Sequence, residues 1–590
     1  MEKTILSGNE AIARGAYEAG VRVASAYPGT PSTEILENIT QYKGIDSSWA
    51  PNEKVALEVA IGASFGGARS MATMKHVGLN VAADPLFTLS YIGVRGGLVL
   101  VVADDPEMHS SQDEQDSRNY AKFAKVPMLE PSDSDEARLF TRIAYEISEQ
   151  FDTPVLLRST TRLSHGKSIV NLDDPVTGLP EPSLKRDPSK LVMLPANARQ
   201  RHPLVEKRIV DLEKWACDQT FNRVETGESK VGVITSGIAY QYAKEVFPDA
   251  SVLKLGMVYP LPKQMIRDFA ESVDKLYIIE ELDPFIEEAV RAMGIEVIGK
   301  DLLPVCGELT PERIESALSG KPVDTDYKVK EELPGRPPML CPGCGHRGLF
   351  HTLKQLGAFV TGDIGCYTLA ALPPLGAMDS CVCMGAGFSN ATGIAKVLPE
   401  NERQKVVGVM GDSTFLHTGV NSLMDLVYNN STATAVILDN SATGMTGRQD
   451  NPATGYTLKG GDAPAVDLEN LCQALGVKHI RVIDPNDLDL TKKALQEMMA
   501  IAEPSVVIAR RVCMLERRGN AERTTPLFVL EDKCVGCRSC LKISCPAIEW
   551  REGAGEKGKG QAVVNALLCT GCKVCEQVCN FDAFGEIDGE

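Results

Sequence analysis

The chain has 590 residues, 43% hydrophobic and 24% charged, with a formal net charge of −18. Such a chain is expected to be globular, with about four domains at roughly 150 residues each. Its acidic balance excludes nucleic acid as the main partner, because phosphate binding wants a basic face. No basic-then-apolar leader opens the sequence, and no uncharged apolar run approaches the roughly 18 residues of a membrane span. The expected location is therefore cytoplasmic, with no membrane contact.

From Met1 to about Thr161, apolar strands alternate with amphipathic segments in the manner of an α/β domain. Ser7 to Gly20 reads as a helix and Val21 to Ala26 as a strand. Tyr27 to Thr33 (YPGTPST) forms a tight loop before a second helix. Pro51 to Gly67 reads as a helix with small residues on one face, and Leu98 to Ala103 and Pro154 to Leu157 as buried strands. Asn171 to about Lys230 is rich in Pro, Lys and Arg and reads as a linker with helices. Val231 to about Val329 then forms a small α/β domain with strands in VGVITSG, SVLKLGM and KLYIIEE and a turn at Gly237.

Glu331 to Pro338 is a charged, Pro-rich linker into a further domain ending near Cys513. Here a strand from Lys405 to Met410 runs into Gly411-Asp412-Ser413, a helical stretch follows, and a strand from Ala433 to Leu438 ends in Asp439-Asn440. A carboxylate and an amide oxygen at the C-terminal ends of two strands suit a hard cation that itself carries a diphosphate. The plainer alternative is an ordinary crossover whose Asp and Asn cap helices or turns. Upstream, Gly385 and Gly387 open an apolar stretch whose backbone N–H groups suit a diphosphate. Arg510, Arg511, Arg517, Arg518 and Arg523 make a basic joint, read as a solvated linker ahead of a docking patch.

Seventeen cysteines in a cytosolic chain are not a disulfide framework, and eight of them crowd between Cys534 and Cys579. The runs are Cys534, Cys537, Cys540, Cys545-Pro546 and Cys569, Cys572, Cys575, Cys579. They resemble a bacterial two-cluster ferredoxin, in which the fourth cysteine of each run ligates the other cluster. That resemblance implies one [4Fe-4S] cluster on Cys534, Cys537, Cys540 and Cys579, and a second on Cys569, Cys572, Cys575 and Cys545. The first run has one residue more than usual before its fourth cysteine, and Asn580 stands where Pro often follows. Zinc knuckles are the alternative, although zinc more usually takes paired CxxC units.

YPGTPS, NEKVALEVAIGAS (52–64), MKHVGLN (74–80), CPGCGHR (341–347) and GDS followed by Asn440 together resemble the 2-oxoacid:ferredoxin oxidoreductases. Along nearly the whole chain the resemblance is to α subunits of the indolepyruvate type. It implies an α/β fold with a pyrimidine-type thiamine domain plus linker at 1–200, a transketolase C-like domain at 201–330, a diphosphate-type thiamine domain at 331–522 and a ferredoxin-type domain at 523–590. It implies thiamine diphosphate and Mg2+, the metal held by Asp412, Asn440 and the Ala442 carbonyl. Gly411, Ser413, Gly385, Gly387, Cys344 and His346 would lie around the cofactor. Ser413 departs from the usual second Gly of the motif.

Thiamine enzymes need a carboxylate beside the pyrimidine N1′. By resemblance this is Glu53, with Glu58 as its competitor. Thr30 and His76, the latter beside Lys75, would face substrate or cofactor. Arg118 would clamp the 2-oxoacid carboxylate, although its acidic neighbours Asp113, Glu114 and Asp116 also allow a salt bridge. A possible third cluster falls on Cys341, Cys344, Cys366 and Cys513, the alternative being a Gly/Cys loop lining the thiamine.

The implied reaction converts arylpyruvate, CoA and oxidised ferredoxin to aryl-acyl-CoA, CO2 and reduced ferredoxin. It implies a smaller β subunit in a heterodimer, and a dimer of such heterodimers. Pyruvate or branched-chain oxoacids would share every motif. A non-oxidative thiamine enzyme has no use for the tail cysteines, and a pure electron carrier has none for Glu53, Asp412 and Asn440.

Overall fold

The strands Ser70–Lys75, Leu98–Asp104 and Val155–Thr160 are buried along their whole length, as parallel strands covered on both faces by helices must be. They form the centre of a seven-stranded sheet in the order Met257–Tyr259, Met128–Leu129, Val155–Thr160, Leu98–Asp104, Ser70–Lys75, Val23–Ala26, Asp46–Trp49. Every pairing is parallel except that of Met257–Tyr259. The structure is a computed structural model that describes residues 2–322, 337–516, 518–555 and 558–586. It divides into two compact units, Met1–Glu331 and Glu332–Glu590. Of the expected linker from Glu331 to Pro338, residues 331–336 lie outside the described residues, as does Arg517.

The first unit holds a second sheet, ordered Lys275–Ile279, Val231–Ser236, Ser251–Leu255, Arg223–Glu225, with the last strand antiparallel. Residue 200 lies inside the helix Pro195–Ala216, so the expected division there cuts a continuous element. That helix is tied to the larger sheet's layer: Arg201 donates to Tyr91 O and Asp152, and Arg208 donates to Ser90 O and Asp152 O. Met257–Tyr259 then returns from the smaller sheet to the edge of the larger one. An opening strand, Glu2–Ser7, pairs with Lys167–Leu172, a partnership 160 residues apart that local pattern does not reveal.

Buried charges join the two sheets of this unit. Arg158 pairs with Asp104 at 2.7 Å and with Glu130, and Glu130 accepts from Ser236 Oγ at 2.7 Å. Arg118 pairs with Asp116 and Glu280, each at 2.5 Å.

The second unit is built on a five-stranded parallel sheet, ordered Phe359–Thr361, Val406–Gly411, Thr434–Asp439, Ser505–Arg510, His479–Ile483. The cysteine-rich tail adds two antiparallel ribbons, Leu527–Val529 with Phe584–Glu586 and Ile548–Arg551 with Gln561–Val564. They enclose a small core that includes Leu527, Ile543, Val574 and Phe584. The basic joint is pinned inside this unit. Arg510 pairs with Asp439 and Arg511 with Asp484, while Arg518 bonds Asp450 through both terminal nitrogens and lies 3.7 Å over Tyr456. No helix among the described residues is long and apolar enough to cross a membrane.

Candidate active site and cysteine centres

In the first unit, the loops leaving the C-terminal ends of the parallel strands gather Thr30, Glu53, Lys75 and His76, where open α/β sheets carry ligands. Asn52 caps the helix Glu53–Phe65 by accepting from Val55 N, which fixes Glu53 in its first turn. Glu53 is 4% exposed. A Cβ on Gly78 would lie 2.6 Å from its Cγ and Oε1, so the bare glycine makes room for this carboxylate. Glu58 is on the exposed side of the same helix, paired with Lys54.

Lys75 is buried under the Thr30 loop, where a Cβ on Gly29 would touch its side chain at 3.1 Å. Its ammonium donates to Ser110 O at 2.9 Å. Burial pulls its pKa down while Asp105, Asp113 and Glu53 work the other way. Thr30 is half-buried, and its carbonyl accepts from Ser110 Oγ at 3.2 Å. His76 is fully buried, with Nε2 3.3 Å from Asp113 O and Nδ1 without a hydrogen-bond partner among the described residues.

Arg118 corrects the expectation. It is 1% exposed. Nε and Nη2 bond Asp116, Nη1 bonds Glu280, and Nη2 also reaches Glu281 O and Asp283 O. Every guanidinium nitrogen is thus committed inside the protein, leaving none to clamp a substrate carboxylate. Removing one partner of a buried ion pair leaves uncompensated charge. Arg118→Ala is accordingly expected to destabilise the chain by about 3–5 kcal/mol, read from denaturant unfolding; a loss below about 1 kcal/mol would contradict this structural role.

In the second unit, Asp412 and Asn440 follow the adjacent parallel strands Val406–Gly411 and Thr434–Asp439. Asp412 is 1% exposed and accepts from Ser413 N at 2.8 Å. Burial, with Asp439 nearby, pushes its carboxyl up to about 7. The Asn440 amide oxygen faces Ala442 O at 2.8 Å and Asp412 Oδ1 at 3.1 Å. An amide oxygen set against two other oxygens is repelled by both. Either the amide turns so that its NH2 donates to both, or a cation sits among them. The donor set, one carboxylate, one amide and one carbonyl, fits a hard cation such as Mg2+. Ser413 Oγ bonds Thr443 Oγ1 at 2.9 Å.

Gly385 and Gly387 also depart from expectation. Gly385 (φ +89°) starts the helix Ala386–Val397, and its N–H donates to Asp363 Oδ1 at 3.1 Å while Gly387 N–H donates to Asp363 Oδ2 at 3.0 Å. Both amides are therefore committed to a protein carboxylate rather than to a diphosphate. Asp363 is fully buried, and burial pushes it up to about 7. It was readable as a second Gly-Asp after a strand, the same pattern as Gly411-Asp412. His346, at the start of the helix His346–Gln355, packs edge-on against Tyr367 with ring centroids 5.9 Å apart. Burial pulls it down to about 4, so it is neutral at pH 7.

The tail folds its cysteines into two recesses. Cys534, Cys537, Cys540 and Cys579 line one with Val535 and Phe581; Cys545, Cys569, Cys572 and Cys575 line the other with Val564 and Val574. Among the described residues no three or more His, Cys, Asp or Glu side chains converge closely enough for a single metal ion. Thiols ringing a recess suit a multi-iron cluster better than one zinc ion. Cys341, Cys344, Cys366 and Cys513 also come together: Cys366 feels Cys513 and Cys341, and Cys344 feels Cys341 and Cys366. Burial is the main cause that lifts Cys344 to about 12 and Cys366 to about 11. Such thiols lose their protons to solvent only where a metal or other cation stabilises the thiolate that remains.

Known proteins share these parts. The family described as "Pyruvate flavodoxin/ferredoxin oxidoreductase, thiamine diP-bdg" matches residues 14–231. "Thiamine pyrophosphate enzyme, C-terminal TPP binding domain" matches 363–509, and "4Fe-4S dicluster domain" matches 533–583. Indolepyruvate oxidoreductase subunit IorA of Thermococcus kodakarensis is 40% identical over 99% of this chain and 97% of its own length. The chain belongs to the IorA family of 2-oxoacid:ferredoxin oxidoreductases. The Archaeoglobus fulgidus IorA is 41% identical over 98% of this chain and 96% of its own. Among solved structures, a 2-oxoglutarate:ferredoxin oxidoreductase from Magnetococcus marinus aligns at TM-score 0.44 and 18% identity, covering 54% of this chain and 65% of that one. As an IorA-family member the chain is an oxidoreductase acting on 2-oxoacids, with thiamine diphosphate domains and a 4Fe-4S dicluster domain.

Proposed function

We propose that this chain, with a smaller partner subunit, carries out the oxidative decarboxylation of arylpyruvates such as indolepyruvate and phenylpyruvate, using CoA and passing electrons to ferredoxin. The observation that carries this reading is the conjunction, on one IorA-family chain, of a buried Glu53, a cation-ready trio of oxygens, and cysteine sets suited to one-electron acceptors. Bound thiamine diphosphate supplies carbanion stabilisation, and oxidation in single electrons needs acceptors nearby. Asp412, Asn440 and Ala442 O hold Mg2+ and so position the diphosphate. Glu53 holds a proton at the pyrimidine N1′. Cys534, Cys537, Cys540 and Cys579 hold one cluster, Cys545, Cys569, Cys572 and Cys575 a second, and Cys341, Cys344, Cys366 and Cys513 a third.

With Arg118 committed, Lys75 takes over the substrate carboxylate: its side-chain nitrogen lies near Glu53 and already donates to Ser110 O. Lys75→Met is expected to raise KM for the arylpyruvate at least tenfold with thiamine content unchanged, and an unaltered KM would remove Lys75 from this role.

The function itself is tested anaerobically. The holoenzyme with its partner and CoA is mixed in turn with indolepyruvate, phenylpyruvate and pyruvate while cluster absorbance is followed. Bleaching with the aryl substrates alone is expected. Bleaching with pyruvate instead overturns the substrate class, and no bleaching with any overturns the oxidative role.

A further inference from the structure

The second unit buries a cation that the proposed chemistry leaves unused. Arg347 is 2% exposed, and among the described residues it has no carboxylate partner. Its guanidinium instead bridges two parts of the chain. Nε donates to Cys341 O at 3.2 Å and Nη2 to Leu340 O, while Nη1 donates to Ile543 O at 2.9 Å and to Ser544 O. One side of the fork therefore holds the CPGC loop and the other holds the turn that carries Cys545. The side chain also lines the recess of Cys545, Cys569, Cys572 and Cys575. Thiols of both sets stand near it: Cys341 and Cys344 on one side, Cys545 and Cys572 on the other.

An isolated buried guanidinium is costly, and neutral carbonyls compensate it only in part. A cluster ligated by cysteine thiolates in each set would supply the counter-charge that completes it. A fixed cation shared by two such sets favours the more negative, reduced form of whatever each holds. We propose that Arg347 is a positioning residue common to both sets, which holds the CPGC loop against the ferredoxin-type module and raises the reduction potential of the group in each. This rests on the cluster assignments above. Arginine suits the task because its planar fork reaches both backbones at once, whereas lysine offers a point charge on a single stem.

The test is a redox titration of the anaerobic holoenzyme followed by electron paramagnetic resonance, after iron content has been measured. In Arg347→Gln, with iron retained, the one-electron equilibria of the Cys341 and Cys545 sets are expected to shift at least tenfold toward the oxidised form, about 59 mV. The Cys534 set, whose recess Arg347 does not line, should shift less. Arg347→Lys, which keeps the charge, should recover more than half of that shift. Unchanged potentials in Arg347→Gln at full iron content would overturn the proposal. If Arg347→Gln loses iron, Arg347→Lys decides: near-wild-type potentials support the role of the charge, and a tenfold shift despite retained charge overturns it. Cys513→Ser separates this from the underlying reading, since it should lower iron by about four atoms per chain. Unchanged iron there would sink the third cluster, leaving the Arg347→Gln shift expected in the Cys545 set alone.

Discussion

Glu53→Gln is expected to bind thiamine diphosphate normally and to turn over about 10²–10⁴-fold more slowly, the usual range for a lost general acid–base group. The substitution is nearly isosteric, which matters because the carboxyl is packed against Gly78 with no space for even a Cβ. Gln fills the same volume and keeps hydrogen-bonding atoms, so cofactor binding and folding should survive. What it loses is the negative charge that stabilises a proton on N1′. The measurement is CO2 release under single-turnover conditions, alongside thiamine content. Loss of thiamine as well as rate would mean that Glu53 holds the cofactor rather than activating it. A near-normal rate with cofactor in place would return the role to Glu58. That outcome would be hard to reconcile with Glu58 standing at the surface in a pair with Lys54.

Sequence reading succeeded where the deciding interaction is local. The two tail runs carry the spacing of a 4Fe-4S dicluster domain, whose family model matches residues 533–583, and the structure lines two recesses with four of these cysteines each. Strands such as Leu98–Asp104 were readable because a strand covered on both faces becomes a continuous apolar run. It failed where the partner is distant. An arginine among acidic residues looks like a substrate clamp until Glu280, 162 residues away, is seen to complete its ion pairs. Gly385 and Gly387 looked like open donors because nothing in their neighbourhood names Asp363 as the acceptor. Arg347 was passed over inside a cysteine motif, because its significance comes from Ile543 and Ser544, nearly 200 residues on.

Asp412→Ala is expected to lose bound thiamine diphosphate while keeping its iron. The site's oxygens come from two strand ends and one loop carbonyl, and Asp412 supplies the only formal negative charge among the three that face one another. Without it, a dehydration-resistant ion such as Mg2+ has two neutral oxygens to replace its waters. Losing an outer-shell partner typically costs about 10–100-fold in metal affinity, so losing a direct ligand should cost at least that. The fold should tolerate the change. Asp412 is a buried carboxylate with Asp439 nearby, and both burial and that neighbour penalise its charge. Removing it relieves that electrostatic cost when no cation is present but also gives up the bond from Ser413 N–H, so the two proteins without cofactor should differ little in stability. Iron serves as the internal control, since its proposed ligands are cysteines only. The competing arrangement, in which the Asn440 amide simply donates to Asp412 and Ala442 O, predicts the opposite pattern: thiamine retained, little response to a chelator, and reduced stability from a broken hydrogen bond. Parallel assays of thiamine, magnesium and iron in the two proteins, with and without chelator, therefore distinguish a metal site from a structural turn.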